Sequence, residues 1–145
     1  MKKSFVLLIV AFIVCGCKTA KNTNLHATSL VIDKKLLQTW VLNELNGKTV
    51  QRSEFQNKIP KITIGNTLQT FKGNTGCNEI NGNVFYYRKD EIQFLNINVE
   101  TNKCPVSRKE DEFLKLLKTT SNYSIIDNKL VLSDRFDAIL VFTKG

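Results

Sequence analysis

Residues 107–118 read SRKEDEFLKLLK, and this short stretch decides the class of fold. Phe113, Leu114 and Leu117 recur at the spacing of one helical face, with Ser107 placed as N-cap and Glu110 three residues on as its capping-box partner. Glu110, Asp111 and Glu112 near the start, and Lys115 and Lys118 near the end, suit the helix dipole. Pro105 limits how far back the helix can begin. One amphipathic helix over about 107–119 is therefore predicted. Fully buried, its three apolar residues would contribute about 1.5–3 kcal/mol each.

Everywhere else in the domain the rhythm is that of strands. Working outward, apolar residues come in short bursts separated by Asn, Gly, Asp and Lys, the spacing of a mostly antiparallel sheet. Thr39–Leu45 ends at the turn pair Asn46-Gly47, and residues 59–64 end at Gly65-Asn66 before residues 67–72 resume, which reads as a hairpin. Residues 82–88 carry Val84 and Tyr86 on one face and Phe85 and Tyr87 on the other, so this strand is expected to be covered on both sides. Lys89-Asp90 turns into residues 91–95. After the helix, residues 123–126, 129–133 and 138–143 form a terminal meander with turns at Asp127-Asn128 and near Asp134. No internal repeat or low-complexity tract is present. The expected fold is a strand-rich α+β unit: a curved antiparallel sheet or partly open barrel with the helix laid against it.

The chain of 145 residues, 42% hydrophobic and 23% charged, has room for one such domain and no second. Its first residues stand apart. Met1-Lys-Lys followed by an apolar run from Phe5 to Val14 reads as a signal-peptide core, about half the roughly 20 residues that span a bilayer. Val14-Cys15-Gly16-Cys17 resembles the bacterial lipoprotein signal, with an apolar residue at −3 and a small one at −1 before the modified cysteine. Cys17 fits that role; Cys15 would put Val14 at the cleavage position, where a small side chain is wanted. The resemblance implies a signal peptide over 1–16, lipidation of Cys17 and anchoring by more than one acyl chain, which holds stably where one would not. Residues 18–24 have almost no apolar content, so 17–34 is read as lipid anchor and flexible tether.

The net charge is +8, and loss of Lys2 and Lys3 with the leader lowers it only slightly. The positive residues are scattered without a long basic block or an aromatic-interleaved basic motif, so nucleic acid is not an expected partner. A weak attraction to anionic lipid headgroups fits better.

The stretch with the most reactive-looking composition is residues 71–82, FKGNTGCNEING. Gly73, Gly76 and Gly82 do not match a P-loop or a dinucleotide loop, no Lys-Ser or Lys-Thr closes the run, and a strand rather than a helix follows. Cys77 as a nucleophile would need a histidine or another activating group and an orienting partner, and the only histidine, His26, lies in or beside the tether. Zinc would need ligands beyond Cys77 and Cys104, so no metal or other cofactor is expected. Glu79 and Glu91 could form a glycosidase-like carboxylate pair only if the fold brought them together. No catalytic residue is assigned. With Cys17 lipidated, Cys77 and Cys104 are the two thiols left in an exported domain, which favours a disulfide between them. Closing that loop of about 28 residues would contribute about 3.6 kcal/mol in the chain-entropy account. The glycines and asparagines then read as turn formers that allow positive φ.

Trp40-x-Leu42-x-x-Leu45-x-Gly47, Phe71-x-Gly73-x-x-Gly76-Cys77-Asn78-x-x-x-Gly82, Thr101-x-x-Cys104-Pro105, Glu112-x-x-Leu-x-x-Leu and Tyr123-x-Ile125-x-x-Asn128-x-Leu130-x-Leu132 resemble the META/HslJ-like domain over most of 35–145. Ile80 departs from the pattern, standing where an aromatic is frequent. The resemblance implies a compact α+β domain, often carried by envelope lipoproteins associated with heat-shock or antibiotic stress, and it brings no catalytic residue. Gly73, Gly76, Cys77, Asn78 and Gly82 carry over as signature positions only. The expected function is a non-enzymatic, lipid-anchored envelope protein, held by membrane lipid through Cys17, facing the periplasm from the outer membrane and contacting another envelope protein. The alternative is a binder of a small apolar ligand in a sheet-lined cavity.

Overall fold

Alternating buried and exposed side chains drive much of the described chain into strands, and the computed structural model describes residues 32–65, 69–100, 104 and 107–145. The signal peptide, Cys17, His26 and all of the tether except residues 32–34 lie outside the described residues, as do the tip of the first expected hairpin and most of the Thr101-to-Pro105 motif; at the tether's end Asp33 caps a 3-10 turn over Lys34–Leu36. The strands are β1 (Thr39–Leu45), β2 (Lys48–Thr49), β3 (Lys61–Ile64), β4 (Thr70–Asn74), β5 (Glu79–Tyr86) and β6 (Ile92–Glu100), followed by helix α1 (Arg108–Thr119) and then β7 (Asn122–Ile126), β8 (Lys129–Ser133) and β9 (Ala138–Lys144). They form one antiparallel sheet in the order β6-β5-β4-β3-β1-β9-β8-β7, with β2 paired to β1.

Strand β1 is the centre, joining a meander that follows it to the meander that ends the chain. The sheet curls until its two ends meet: Glu91 bridges Asn122, the Ile92 N–H donates to the Ser121 carbonyl at 3.1 Å, and the Tyr123 N–H donates to the Asp90 carbonyl at 2.8 Å. The result is a half-barrel joined at one end of its seam, the partly open barrel expected. Twist and curling of this kind follow from the handedness of the strands themselves.

Helix α1 packs against β6 and β9, on the concave side. Phe113, Leu114 and Leu117 are buried as their spacing predicts, and the Phe113 ring meets Phe142 of β9 edge-on at 6.4 Å. Trp40, Phe94, Ile62 and Leu140 belong to the same core cluster. Trp40 is fully satisfied there, its indole Nε1 donating to the Leu36 carbonyl at 3.0 Å. The aromatic side chains that could have lined an apolar cavity are thus packed against one another and against the helix.

Several strand boundaries differ from expectation. β4 runs to Asn74 and β5 begins at Glu79, so most of the glycine-rich stretch is sheet rather than loop. β6 continues to Glu100, beyond the expected end at residue 95, because a bulge at Asn96 (φ 52°) lets pairing with β5 resume past it. Strand β5 is covered on one side only: Val84 and Tyr86 face the core, while Phe85 is half-buried and Tyr87 is 48% exposed.

Tyr86 carries the one buried side-chain polar atom, among the described residues, that has no hydrogen-bond partner. Burial, with Tyr123 nearby, pushes its hydroxyl well above the usual range, so it is neutral and still unsatisfied. Leaving a hydroxyl dry costs about 1–3 kcal/mol. Tyr86→Phe is therefore expected to leave stability unchanged or raise it by up to about 1 kcal/mol in urea denaturation. A loss of more than about 1 kcal/mol would mean that the hydroxyl has a partner, such as a bound water.

Candidate functional site

Gly76, Cys77 and Asn78 sit where the β4–β5 hairpin tip meets the N-terminus of α1, with Gly73 and Gly82 in the strands that flank it. Residues 75–78 are the actual turn. The Asn74 Oδ1 accepts the Gly76 N–H at 3.1 Å, and the Thr75 N–H donates to the Asn78 carbonyl at 2.9 Å. Gly76 has φ 119°, and an added Cβ would approach the Phe55 carbonyl to 2.7 Å, so both conformation and space require glycine.

Gly73 and Gly82 have different reasons. Both lie in strands, and neither serves a turn. A Cβ on Gly73 would run into the Lys61 carbonyl of the neighbouring strand; on Gly82 it would meet the Phe71 ring and the Leu95 carbonyl. These are close approaches of backbone and ring, which strand glycines often mark. Gly73→Ala is expected to destabilise by about 2–3 kcal/mol, because backbone must move to admit the methyl group. A chemical melt of that variant matching the parent within about 0.5 kcal/mol would contradict the packing described.

Two side chains fasten this turn to the segment ahead of the helix. Cys77 and Cys104 form the expected disulfide, with their Cα atoms 6.1 Å apart. Beside it the Asn78 amide reads the Cys104 backbone from both sides: its Nδ2 donates to the Cys104 carbonyl at 3.0 Å, and its Oδ1 accepts the Cys104 N–H at 3.3 Å. Asn78 is fully buried and makes these bonds in place of water.

At the centre sits Glu110, which is also fully buried. Ser107 accepts the Glu110 N–H through its Oγ at 3.2 Å, and Glu110 Oε2 accepts the Ser107 N–H at 2.7 Å, completing the capping box. The same carboxylate reaches out of the helix. Its Oε1 accepts the Thr75 hydroxyl at 2.6 Å and the Cys77 N–H at 3.4 Å, and its Oε2 accepts the Gln56 Nε2 at 3.3 Å. Burial would raise the acid's pKa, but the Ser107 N–H, the Thr75 hydroxyl, the Cys77 N–H and the Ser107 hydroxyl outweigh it and hold the carboxyl below its ordinary value. Glu110 is therefore charged and fully engaged.

Sequence reasoning placed Glu110 in the capping box and missed its second role. The signal was present: Glu110 precedes Phe113, Leu114 and Leu117 by three, four and seven residues, so it shares their buried face. Glu79 and Glu91 are not brought together. They stand at opposite ends of the β5–β6 hairpin, roughly 23 Å apart at strand rise, and Glu91 pairs instead with Arg88 at 3.4 Å. Among the described residues no three His, Cys, Asp or Glu side chains gather as a metal site would require. Nor is any helix among them long and apolar enough to cross a membrane.

A family model described as META domain matches residues 34–145. No curated protein matches the chain. Among solved structures, an NMR structure of a protein from Burkholderia xenovorans superposes with a TM-score of 0.59 at 18% identity, covering 77% of this chain and 85% of that one. A crystal structure of a duf4847 family protein from Bacteroides vulgatus gives 0.54 at 20% identity, covering 76% and 94%. A further NMR structure gives 0.55 at 18% identity, covering 75% and 90%. At these identities the likeness is one of fold.

Proposed function

This chain belongs to the META domain family, and from that premise we propose that it is a non-enzymatic, lipid-anchored protein of the bacterial envelope whose domain is a rigid module for contacting another envelope component under stress. The observation that carries the non-enzymatic reading is the occupancy of the signature block. The Glu110 carboxylate accepts four hydrogen bonds from the protein, the Asn78 amide is held on both sides by Cys104, and Cys77 is in a disulfide. A general acid, a nucleophile or a metal ligand needs a free lone pair or proton, and these groups have theirs committed.

The anchor rests on the Val14-Cys15-Gly16-Cys17 signal and on the polar residues that follow it. Lys18 lacks the acidic character associated with retention at the inner membrane, which favours the outer membrane facing the periplasm. In cells fed a labelled fatty-acid precursor, the wild-type protein is expected to take up label and Cys17→Ala to take up none. Equal labelling of the two, or no labelling of the wild type, overturns the anchor.

A further inference from the structure

The outer face of β3–β6 carries, between charged residues at its edge such as Lys61, Glu79 and Glu100, a patch whose side chains are mostly uncharged and polar. Because Phe71, Ile80, Val84 and Tyr86 point to the core, Thr70 and Lys72 of β4 and Asn81, Asn83 and Phe85 of β5 point outward. Register aligns them in rows: Thr63, Lys72, Asn81 and Asn98 form one, Thr70, Asn83 and Leu95 the next, and Phe85 and Gln93 a third. Where the rows cross the Asn96 bulge and Gly82, the sheet is dished into an open depression of about 520 Å³. Its walls include Thr63, Lys72, Asn81, Asn83 and Asn96, and Lys72 is the one ionisable side chain among its described lining residues. Asn96 Nδ2 donates to Asn83 Oδ1 at 3.1 Å, which orients both amides and leaves the Asn83 NH₂ to donate and the Asn96 oxygen to accept.

An apolar platform continues the same stripe. Phe85 follows Asn83 on the outward side of β5 and Tyr87 comes just past its end, their rings stacked at 6.5 Å with an interplanar angle of 28°, and Leu95 lies opposite Asn83, 39% exposed. From Asn81 to Tyr87 the stripe runs roughly 20 Å. We infer that this depression and its aromatic rim bind a short neutral oligosaccharide, with the asparagine amides taking its hydroxyl groups and the Tyr87 ring taking the C–H face of a sugar.

The chemistry selects that class over its rivals. A phosphorylated or nucleic ligand would want several cations, and among the described residues that line the depression Lys72 is the one cation. A purely apolar ligand would strip water from three amides and return no hydrogen bond to any of them. A sugar satisfies both surfaces, since each hydroxyl donates and accepts while its axial C–H groups fit the negative face of an aromatic ring. The volume also lies within the range of small-ligand sites, unlike the flat patches that dock proteins. This inference is independent of lipidation, because its lining residues all lie in the folded domain.

The test uses the full-length protein in a detergent without a sugar headgroup, titrated with triacetylchitotriose and with maltotriose while the asparagine side-chain amides are followed by NMR. At least one sugar is expected to move the signals of Asn81, Asn83 and Asn96. Tyr87→Ala, at a half-exposed position, is expected to weaken that response at least about tenfold, whereas Tyr87→Phe keeps the ring and retains it. A response to triacetylchitotriose alone assigns an acetamido glycan, and to maltotriose alone a plain glucan. The inference is overturned if neither sugar moves these signals, if Tyr87→Ala binds as the parent does, or if inorganic phosphate moves the same signals as strongly. Failure of both sugars with a photo-crosslink from position 87 to an envelope protein would reassign the face to a protein partner.

Discussion

Glu110→Ala is expected to lower the stability of the domain by about 3–5 kcal/mol, against a total of about 5–15 kcal/mol for domains of this kind. The variant leaves the part-buried Ser107 and Cys77 N–H groups without an acceptor, at about 1–3 kcal/mol each, and leaves the Thr75 hydroxyl only its longer bond to the Asn78 carbonyl at 3.3 Å. Glu110→Gln keeps the shape but turns one acceptor oxygen into a donor group facing donors, so it should fall between the parent and the alanine variant. Urea melts of the three proteins check the order. A Glu110→Ala protein within about 1 kcal/mol of the parent would mean that water replaces the carboxylate without loss. The same arrangement sets a pH dependence. The folded state holds Glu110 below its ordinary value of 4.5, so its stabilisation is complete above about that pH and is lost as pH falls through the folded value. Glu110→Gln should flatten that acid limb.

Replacing both Cys77 and Cys104 by serine is expected to cost about 3.6 kcal/mol, the loop-closure contribution of a bridge spanning 27 residues in sequence. The bridge is not the only tie across that interval, because the Asn78 amide still holds the Cys104 backbone. The double variant should therefore fold, with a lower denaturation midpoint. Mass measurement of freshly isolated protein, with and without reductant, should show no reactive thiol from these two cysteines until reduction. Two free thiols in the native protein would remove the bridge from the account.

What the sequence made legible was whatever is decided locally. Strand β1 ends where expected because Asn46 and Gly47 both adopt positive φ, and the β7–β8 turn at Asp127 and Asn128 does the same. Helix α1 was readable from its capping box and its apolar face. The glycine-rich stretch was misread for the opposite reason. Gly73 is required by a carbonyl on β3 and Gly82 by a ring on β4 and carbonyls on β6, contacts that no local pattern encodes, so turn chemistry was the default reading for all three glycines and correct for Gly76 alone. Strand order was equally hidden, since β1 pairs with β9 across most of the chain. The disulfide came from counting thiols rather than from geometry. The reach of Glu110 to Thr75, across 35 residues, needed the fold to reveal it, although its place on the buried stripe was visible.

The Gly76-Cys77-Asn78 block and Glu110 form an internal structural tie rather than a poised reactive centre, and the protonation of Glu110 tells the two apart. A reactive acid in a buried place has its pKa raised toward neutrality, whereas a carboxylate held by several donors has it lowered. With the Glu110 side-chain carboxyl carbon followed by NMR across an acid titration, the pKa is expected to lie below the ordinary value of 4.5. A value above it would contradict the account and return the block to the list of candidate active sites.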